Sequence, residues 1–225
     1  MKKKEDQMQD KESKILLYST LAMLVPFIIS IVTNETATAW CVHFFNDINT
    51  PFWNAFFAYG THLGDGLVLI PLLFILLWLK KEYWSVLVMA SAIHGIIVYV
   101  VKEQILKGTE FALRPGGLHG TDAFNQIMDH HIHTIDTFPS GHTTTAFVVG
   151  GMFILMLPNW KGILIGLSYG IIIAISRMYL AQHFLVDVSA GAIVGLLTVW
   201  FSWTIAKKKN WLRLKPWEKS SAELK

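Results

Sequence analysis

Charge is what this sequence has least of. Of its 225 residues only 16% are Asp, Glu, Lys or Arg, against about 25% in an ordinary soluble domain. With 53% hydrophobic residues and a mean hydropathy of +0.44, the shortage excludes a disordered chain, which needs low hydrophobicity and high charge. It argues equally against an ordinary water-soluble fold. The formal net charge of +3 is too small to indicate a nucleic-acid binder. Cysteine is nearly missing: Cys41 alone rules out an intrachain disulfide framework and a Cys-rich metal site. Internal repeats are missing as well, and with them the paired halves of many transporters. What the chain has instead is a series of long uncharged runs, and these make it an integral membrane protein.

The runs define an all-α bundle of six transmembrane helices, occupying residues 15–206, between a polar tail at 1–14 and a basic tail at 207–225. The first span is Ile15–Thr33. Ala37-Thr38-Ala39 resembles a signal-peptide cleavage site, but the apolar run is longer than the usual 7–15-residue core of such peptides, so it reads as a retained helix. Residues 34–65 carry Trp40, Phe44, Phe45, Phe52, Trp53, Phe56, Phe57 and Tyr59 among polar neighbours. That mixture suits the headgroup layer and predicts an interfacial helix leading into a second span that ends at Lys80-Lys81. Tyr83–Val101 is the third span. A long polar loop, 102–141, follows, then spans at His142–Trp160, Gly162–Leu180 and Leu185–Ala206. Gly162, Gly166 and Gly170, and likewise Gly191 and Gly195, recur every four residues, giving helix faces that allow close backbone approach.

Charge placement orients the bundle. Six spans put both termini on one side, and fifteen of the nineteen basic residues fall there. Lys102, Lys107, Arg114 and Arg177 fall on the other. The excess of Lys and Arg marks the cytoplasmic side, so the loop at 102–141 faces outward, and the reading is a bacterial inner-membrane protein with both termini cytoplasmic.

The four outward cations have company. Lys107 and Arg114-Pro115 flank the start of the loop, Pro139-Ser140-Gly141-His142 opens the fourth span, and Ser176-Arg177, His183 and Asp187 lie between the fifth and sixth. All sit at one membrane depth. Cations and N–H donors at a helix N-terminus suit phosphoryl transfer, whose transition state spreads negative charge over three oxygens. His183 and Asp187, four apart, share a helix face. The carboxylate can fix the imidazole tautomer so that the other nitrogen attacks. His142 is placed to protonate the leaving group.

Lys107-x6-Arg114-Pro115, Pro139-Ser140-Gly141-His142 and Ser176-Arg177-x5-His183-x3-Asp187 together resemble the three signature motifs of the type-2 phosphatidic acid phosphatases, relatives of vanadium haloperoxidases and some bacterial acid phosphatases. The resemblance implies a phosphatase without metal or other cofactor that acts on a lipid phosphate or diphosphate: phosphatidic acid, phosphatidylglycerophosphate, undecaprenyl diphosphate or lipid A. It makes His183 the nucleophile of a phosphohistidine, Asp187 its orienter and His142 the acid. Lys107, Arg114, Ser140, Gly141 and Arg177 become the phosphate cradle. A phosphotransferase using the same intermediate is the alternative, a channel or transporter with an anion-binding vestibule a more distant one.

The loop also holds His119, Asp122, Asp129, His130, His131, His133 and Asp136. These could suit a divalent metal. The reading preferred is a polar cover over the phosphate pocket, with His130 or His131 touching the substrate headgroup. His94 reads as a hydrogen-bonded histidine inside the bundle. His62 and Asp65 fall near the outer end of the second span, where they could line the pocket, and are not counted among the site residues.

Overall fold

The uncharged runs fold as helices, and no strand occurs among the described residues. The structure, a computed structural model, describes residues 2–209 and 211, with side chains from Lys11 onward. Of the basic tail, only Lys207, Lys208, Lys209 and Trp211 are therefore included. Helix α1 (Lys2–Ala22) begins inside the segment read as a polar tail, and α2 (Leu24–Val32) continues it after Met23. The aromatic stretch folds as α3 (Glu35–Thr38), α4 (Trp40–Asn46) and α5 (Pro51–Gly60), leaving Trp40, Phe44, Phe52 and Trp53 exposed. Helices α6 (Leu69–Leu79) and α7 (Trp84–Tyr99) lead to the loop, which contains the short α8 (Pro115–His119). Then come α9 (Gly141–Met156), α10 (Trp160–Tyr179) and α11 (Leu185–Lys208).

Among the described residues, four stretches are long and apolar enough to cross a membrane: Lys11–Val32, Lys81–Ile105, Trp160–Tyr179 and Leu185–Lys208. They coincide with the first, third, fifth and sixth spans read from sequence. The second is broken: Pro51–Gly64 and Gly66–Leu79 meet at 61°. The fourth is where sequence and structure part. The helix α9 has 16 residues, about 24 Å at 1.5 Å per residue, short of the roughly 30 Å hydrocarbon core. Leu157 and Trp160 extend the apolar run in sequence, but Pro158 cannot continue a helix. Asn159 then caps α10, its side chain accepting from the N–H of Lys161 (2.9 Å) and Gly162 (3.4 Å). Among the described residues the bundle thus has four membrane-length helices, or five with the bent pair, around a shorter central one.

Helix α9 is nearly all buried, which a helix apolar on every side requires. Phe147, Met152 and Leu155 pack with Leu16, Leu76, Leu87, Leu196 and Trp203 in the main core. The glycine faces do what their spacing implies. Gly150 of α9 meets Gly166 of α10 so closely that a Cβ on either would strike the other's carbonyl, and a Cβ on Gly191 would lie 2.8 Å from the Ser140 carbonyl. Those contacts fix the start of α9 against α11, where the motif residues gather.

Candidate active site

The loop is tied down over this end of the bundle. The Arg114 N–H donates to the Thr134 carbonyl (2.9 Å) and the Thr137 N–H to that of Ala112 (3.1 Å). The Asn46 side chain holds both Asn125 and the Tyr179 carbonyl. His119 Nε2 lies 2.8 Å from the Thr36 carbonyl. The last turn of α10 presents Arg177, the turn that follows presents Gln182 and His183, and the first turn of α11 closes on α9 through the Ser140 N–H, which donates to the Asp187 carbonyl at 3.1 Å.

His183 and Asp187 come together, yet not directly. His183 Nδ1 is 3.6 Å from Asp187 Oδ2, beyond hydrogen-bond reach. Thr137 lies between them. Its hydroxyl donates to Asp187 Oδ2 at 2.5 Å and sits 3.3 Å from His183 Nδ1. With the threonine proton committed to the carboxylate, Nδ1–H is the donor to Thr137 Oγ1, which leaves Nε2 with its lone pair free. Asp187 Oδ2 also accepts from the Phe184 N–H at 2.8 Å, closing the first turn of α11 and holding the carboxylate still. The two side chains are only 2% and 1% exposed. Burial first, then Arg114, Arg177 and Lys102, hold His183 well below the ordinary imidazole range, so at neutral pH it is uncharged.

The cations are placed unevenly. Arg177 is 6% exposed. Its Nη1 donates to Thr61 Oγ1 at 2.7 Å, but its buried Nε has no partner. A buried guanidinium with an unused N–H costs free energy unless a ligand takes it, and a phosphate oxygen has the matching charge and geometry. Arg114 is spread over the loop: Nε donates to the Ile135 carbonyl, Nη1 to both oxygens of Gln182 and Nη2 to the Asp136 carbonyl. One Nη2 hydrogen remains uncommitted. Gln182 also donates to the His131 carbonyl at 2.8 Å, so one buried side chain fastens both the arginine and the loop.

Lys107 does not join them. Its side chain is 69% exposed and its Nζ pairs with Glu103 at 2.8 Å. Lys102 stands nearer instead, its Nζ donating at 2.5 Å to the same Asp136 carbonyl that Arg114 uses. A π-helical turn over Val100–Ile105, with the Leu106 N–H reaching back to the Val101 carbonyl, sets that register; such turns often occur at functional sites.

Ser140 is the N-cap of α9. Its fully buried hydroxyl oxygen accepts from the Thr143 N–H at 3.4 Å and the Thr143 hydroxyl at 3.0 Å. Its own proton stays available, and a Cβ at Gly141 would meet only Val98 at 3.8 Å, so the backbone there is open to an anion. His142, in the first turn, is held from outside the motifs: Nε2 is 2.9 Å from Asp65 Oδ1, and Asp65 Oδ2 is 3.1 Å from His62 Nδ1. His130 is tied through Nε2 to the Ala58 carbonyl at 3.0 Å, its ring 6.0 Å from that of His62. His131 packs on His133. Among the described residues no three His, Cys, Asp or Glu side chains converge as metal ligands. Thr137, Lys102, Gln182 and Asp65 are the site neighbours that the motifs do not point to. For Thr137 the available signal was its place two residues before Pro139; for Asp65, a carboxylate inside an apolar span.

Comparison with known proteins settles the family. The model of the PAP2 superfamily matches residues 82–211, which includes all three motifs. The chain belongs to the PAP2 superfamily. It is 30% identical over 177 residues to the lipid A 4'-phosphatase of Bacteroides thetaiotaomicron, an alignment spanning 73% of this chain and 75% of that protein. Over 156 residues it is 26% identical to YbjG of Escherichia coli (strain K12), provisionally named an undecaprenyl-diphosphatase, with 68% and 76% covered. Among solved structures, Aquifex aeolicus LpxE superposes with a TM-score of 0.62 at 28% identity, over 72% of this chain and 92% of that one. The relatives place this PAP2 protein among the membrane lipid phosphatases, as an integral membrane protein.

Proposed function

We propose that this PAP2 protein hydrolyses a phosphate or diphosphate carried by a membrane lipid, through a phosphohistidine on His183. The observation that carries the reading is the buried His183–Thr137–Asp187 relay, its imidazole uncharged and its carboxylate fixed, beside an arginine with a buried unpaired Nε. Nε2 of His183 attacks phosphorus as the P–O bond to the lipid breaks, and His142 gives the departing oxygen its proton. His142 then takes a proton from water, which attacks the phosphohistidine. Inorganic phosphate leaves and His183 is restored. Arg177, Arg114, the Ser140 hydroxyl and the N–H groups at Gly141 and His142 stabilise the equatorial oxygens, with Lys102, rather than Lys107, the lysine of the cradle. These cations carry the charge that a metal ion carries in other phosphatases.

The distribution of Lys and Arg along the sequence supports an orientation with both termini cytoplasmic and the site on the outer face of a bacterial inner membrane. The lipid then reaches the site sideways, its chains remaining in the bilayer, while His130 and His131 at the loop meet the headgroup. The relatives' names support lipid A and undecaprenyl diphosphate as leading substrates. The test is phosphate release by purified protein from phosphatidic acid, phosphatidylglycerophosphate, undecaprenyl diphosphate and lipid A, with and without EDTA, beside His183→Ala. EDTA-resistant release lost in the variant is expected. Release that survives in His183→Ala refutes the mechanism, and turnover that requires a second lipid as acceptor identifies a phosphotransferase.

A further inference from the structure

Asp65 sits at the break in the second span, near its outer end. An intramembrane carboxylate is expensive and is retained where it has a partner and a task. The span is broken at this residue: Asp65 is extended between two short 3-10 turns, and the two halves meet at 61°. Irregular backbone at membrane depth is tolerated only where it is buried in protein or lines a cavity; here Gly64 is buried, and Asp65 and Gly66 line a cavity. A Cβ on Gly64 would lie 2.7 Å from Ile173 and 3.1 Å from the Cβ of His142. The Tyr169 hydroxyl closes on the Leu63 carbonyl at 2.5 Å. The break is therefore packed directly onto the first turn of α9, with Asp65 aimed at the imidazole of His142.

We infer that Asp65 is a positioning residue for His142, holding its Nε2–H so that Nδ1 delivers the proton to the leaving lipid oxygen. The inference rests on the phosphohistidine reading given above. Asp65 lies outside residues 82–211, the part matched by the family model, and belongs to none of the three motifs. The contact itself is 2.9 Å, and the second carboxylate oxygen is held by His62 at 3.1 Å, which stops the carboxylate from rotating away. Asp65 is the carboxylate in contact with His142, and its charge supports a positive imidazole there. A cavity of about 340 Å³ opens beside the pair, lined by Asp65, Gly66, Val98, Tyr99, His142 and Thr145 among others. It gives the leaving group room on the side of the acid. With the His183–Thr137–Asp187 relay, the site has two histidines, each with its own carboxylate.

Asp65→Asn keeps the shape and a hydrogen-bonding amide but removes the charge. An acid acting on the leaving group matters most when that group is a poor one, so two substrates separate this role from a structural one. Dodecyl phosphate leaves as an alkoxide and needs the proton; 4-nitrophenyl phosphate leaves as a stable phenolate and does not. The expected result is a fall on the order of 10²-fold in the single-turnover rate of phosphoryl transfer from dodecyl phosphate to the enzyme, within the roughly 10²–10⁴-fold share of a general acid. The same single-turnover rate with 4-nitrophenyl phosphate, which does not include the later hydrolysis that His142 also serves, should change less than about threefold, and this also shows that the variant is folded. In a His142→Ala background, Asp65→Asn should cost nothing more. Equal losses on both esters, no loss on either, or a further loss in the His142→Ala background would overturn the inference. None of these outcomes touches the role of His183, which His183→Ala tests separately.

Discussion

Replacing Thr137 by Val removes one hydroxyl and leaves a side chain of the same shape in a site that is almost fully buried. The consequence follows from distances. Without Thr137 Oγ1, His183 Nδ1 faces Asp187 across 3.6 Å, too far for a hydrogen bond, and Asp187 Oδ2 keeps only the Phe184 N–H. The lost interaction is a hydrogen bond to a charged group, worth about 1.5–3 kcal/mol. If it acts in the transition state, where His183 becomes positive, the loss is roughly ten- to 150-fold in kcat at 1.36 kcal/mol per decade. Single-turnover measurement of phosphate transfer to the enzyme isolates the step. Thr137→Ser, which restores the hydroxyl, should recover most of the rate. A Thr137→Val protein that is folded and turns over at the wild-type rate would refute the relay.

Two further predictions follow from the same geometry. Lys102→Met should lower kcat/KM by at least tenfold, whereas Lys107→Met, which removes an exposed partner of Glu103, should change it less than about threefold; the reverse order would return the cradle to Lys107. Glu35 gives a pH dependence. Burial raises its carboxyl from 4.5 to about 7, only partly offset by the Leu185 N–H it accepts and added to by Asp187. Between those values the folded protein holds a proton that the unfolded chain has released, so stability declines as pH rises through the window. The decline is at most about 3 kcal/mol. Glu35→Gln, neutral throughout, should melt at a higher temperature than wild type at pH 8 and at a similar one at pH 5, and a pH-independent difference would contradict the account.

The chemistry was legible because its residues carry their own punctuation: proline, serine and glycine before a helix, and acid and imidazole four apart at the start of another. The two histidines, Asp187, Arg114 and Arg177 are all brought to one end of the bundle as the motifs imply. Lys107 is the exception. The K-x6-R spacing is satisfied in sequence, but the π turn at Val100–Ile105 turns Lys102 toward the arginine, and no periodicity in a single sequence announces such a turn. Thr137 carries no such mark, because it belongs to none of the motifs and its contacts with His183 and Asp187 span 46 and 50 residues of sequence. Asp65 needed the break in the second span, which is set by contacts with α9 and α10 far away in sequence. The central helix was overread because its apolar run continues through Leu157 and Trp160, and composition does not mark where α9 gives way to α10 as the Pro158-Asn159 turn does in three dimensions.

The central claim is the covalent intermediate. Enzyme mixed with ³²P-labelled lipid phosphate and quenched within one turnover in alkali should carry label on a histidine, stable to base and lost in acid, and peptide mapping should place it on His183. Thr137→Val should accumulate it more slowly and His183→Ala not at all. Full turnover by the wild-type protein with no label on His183 would contradict the account.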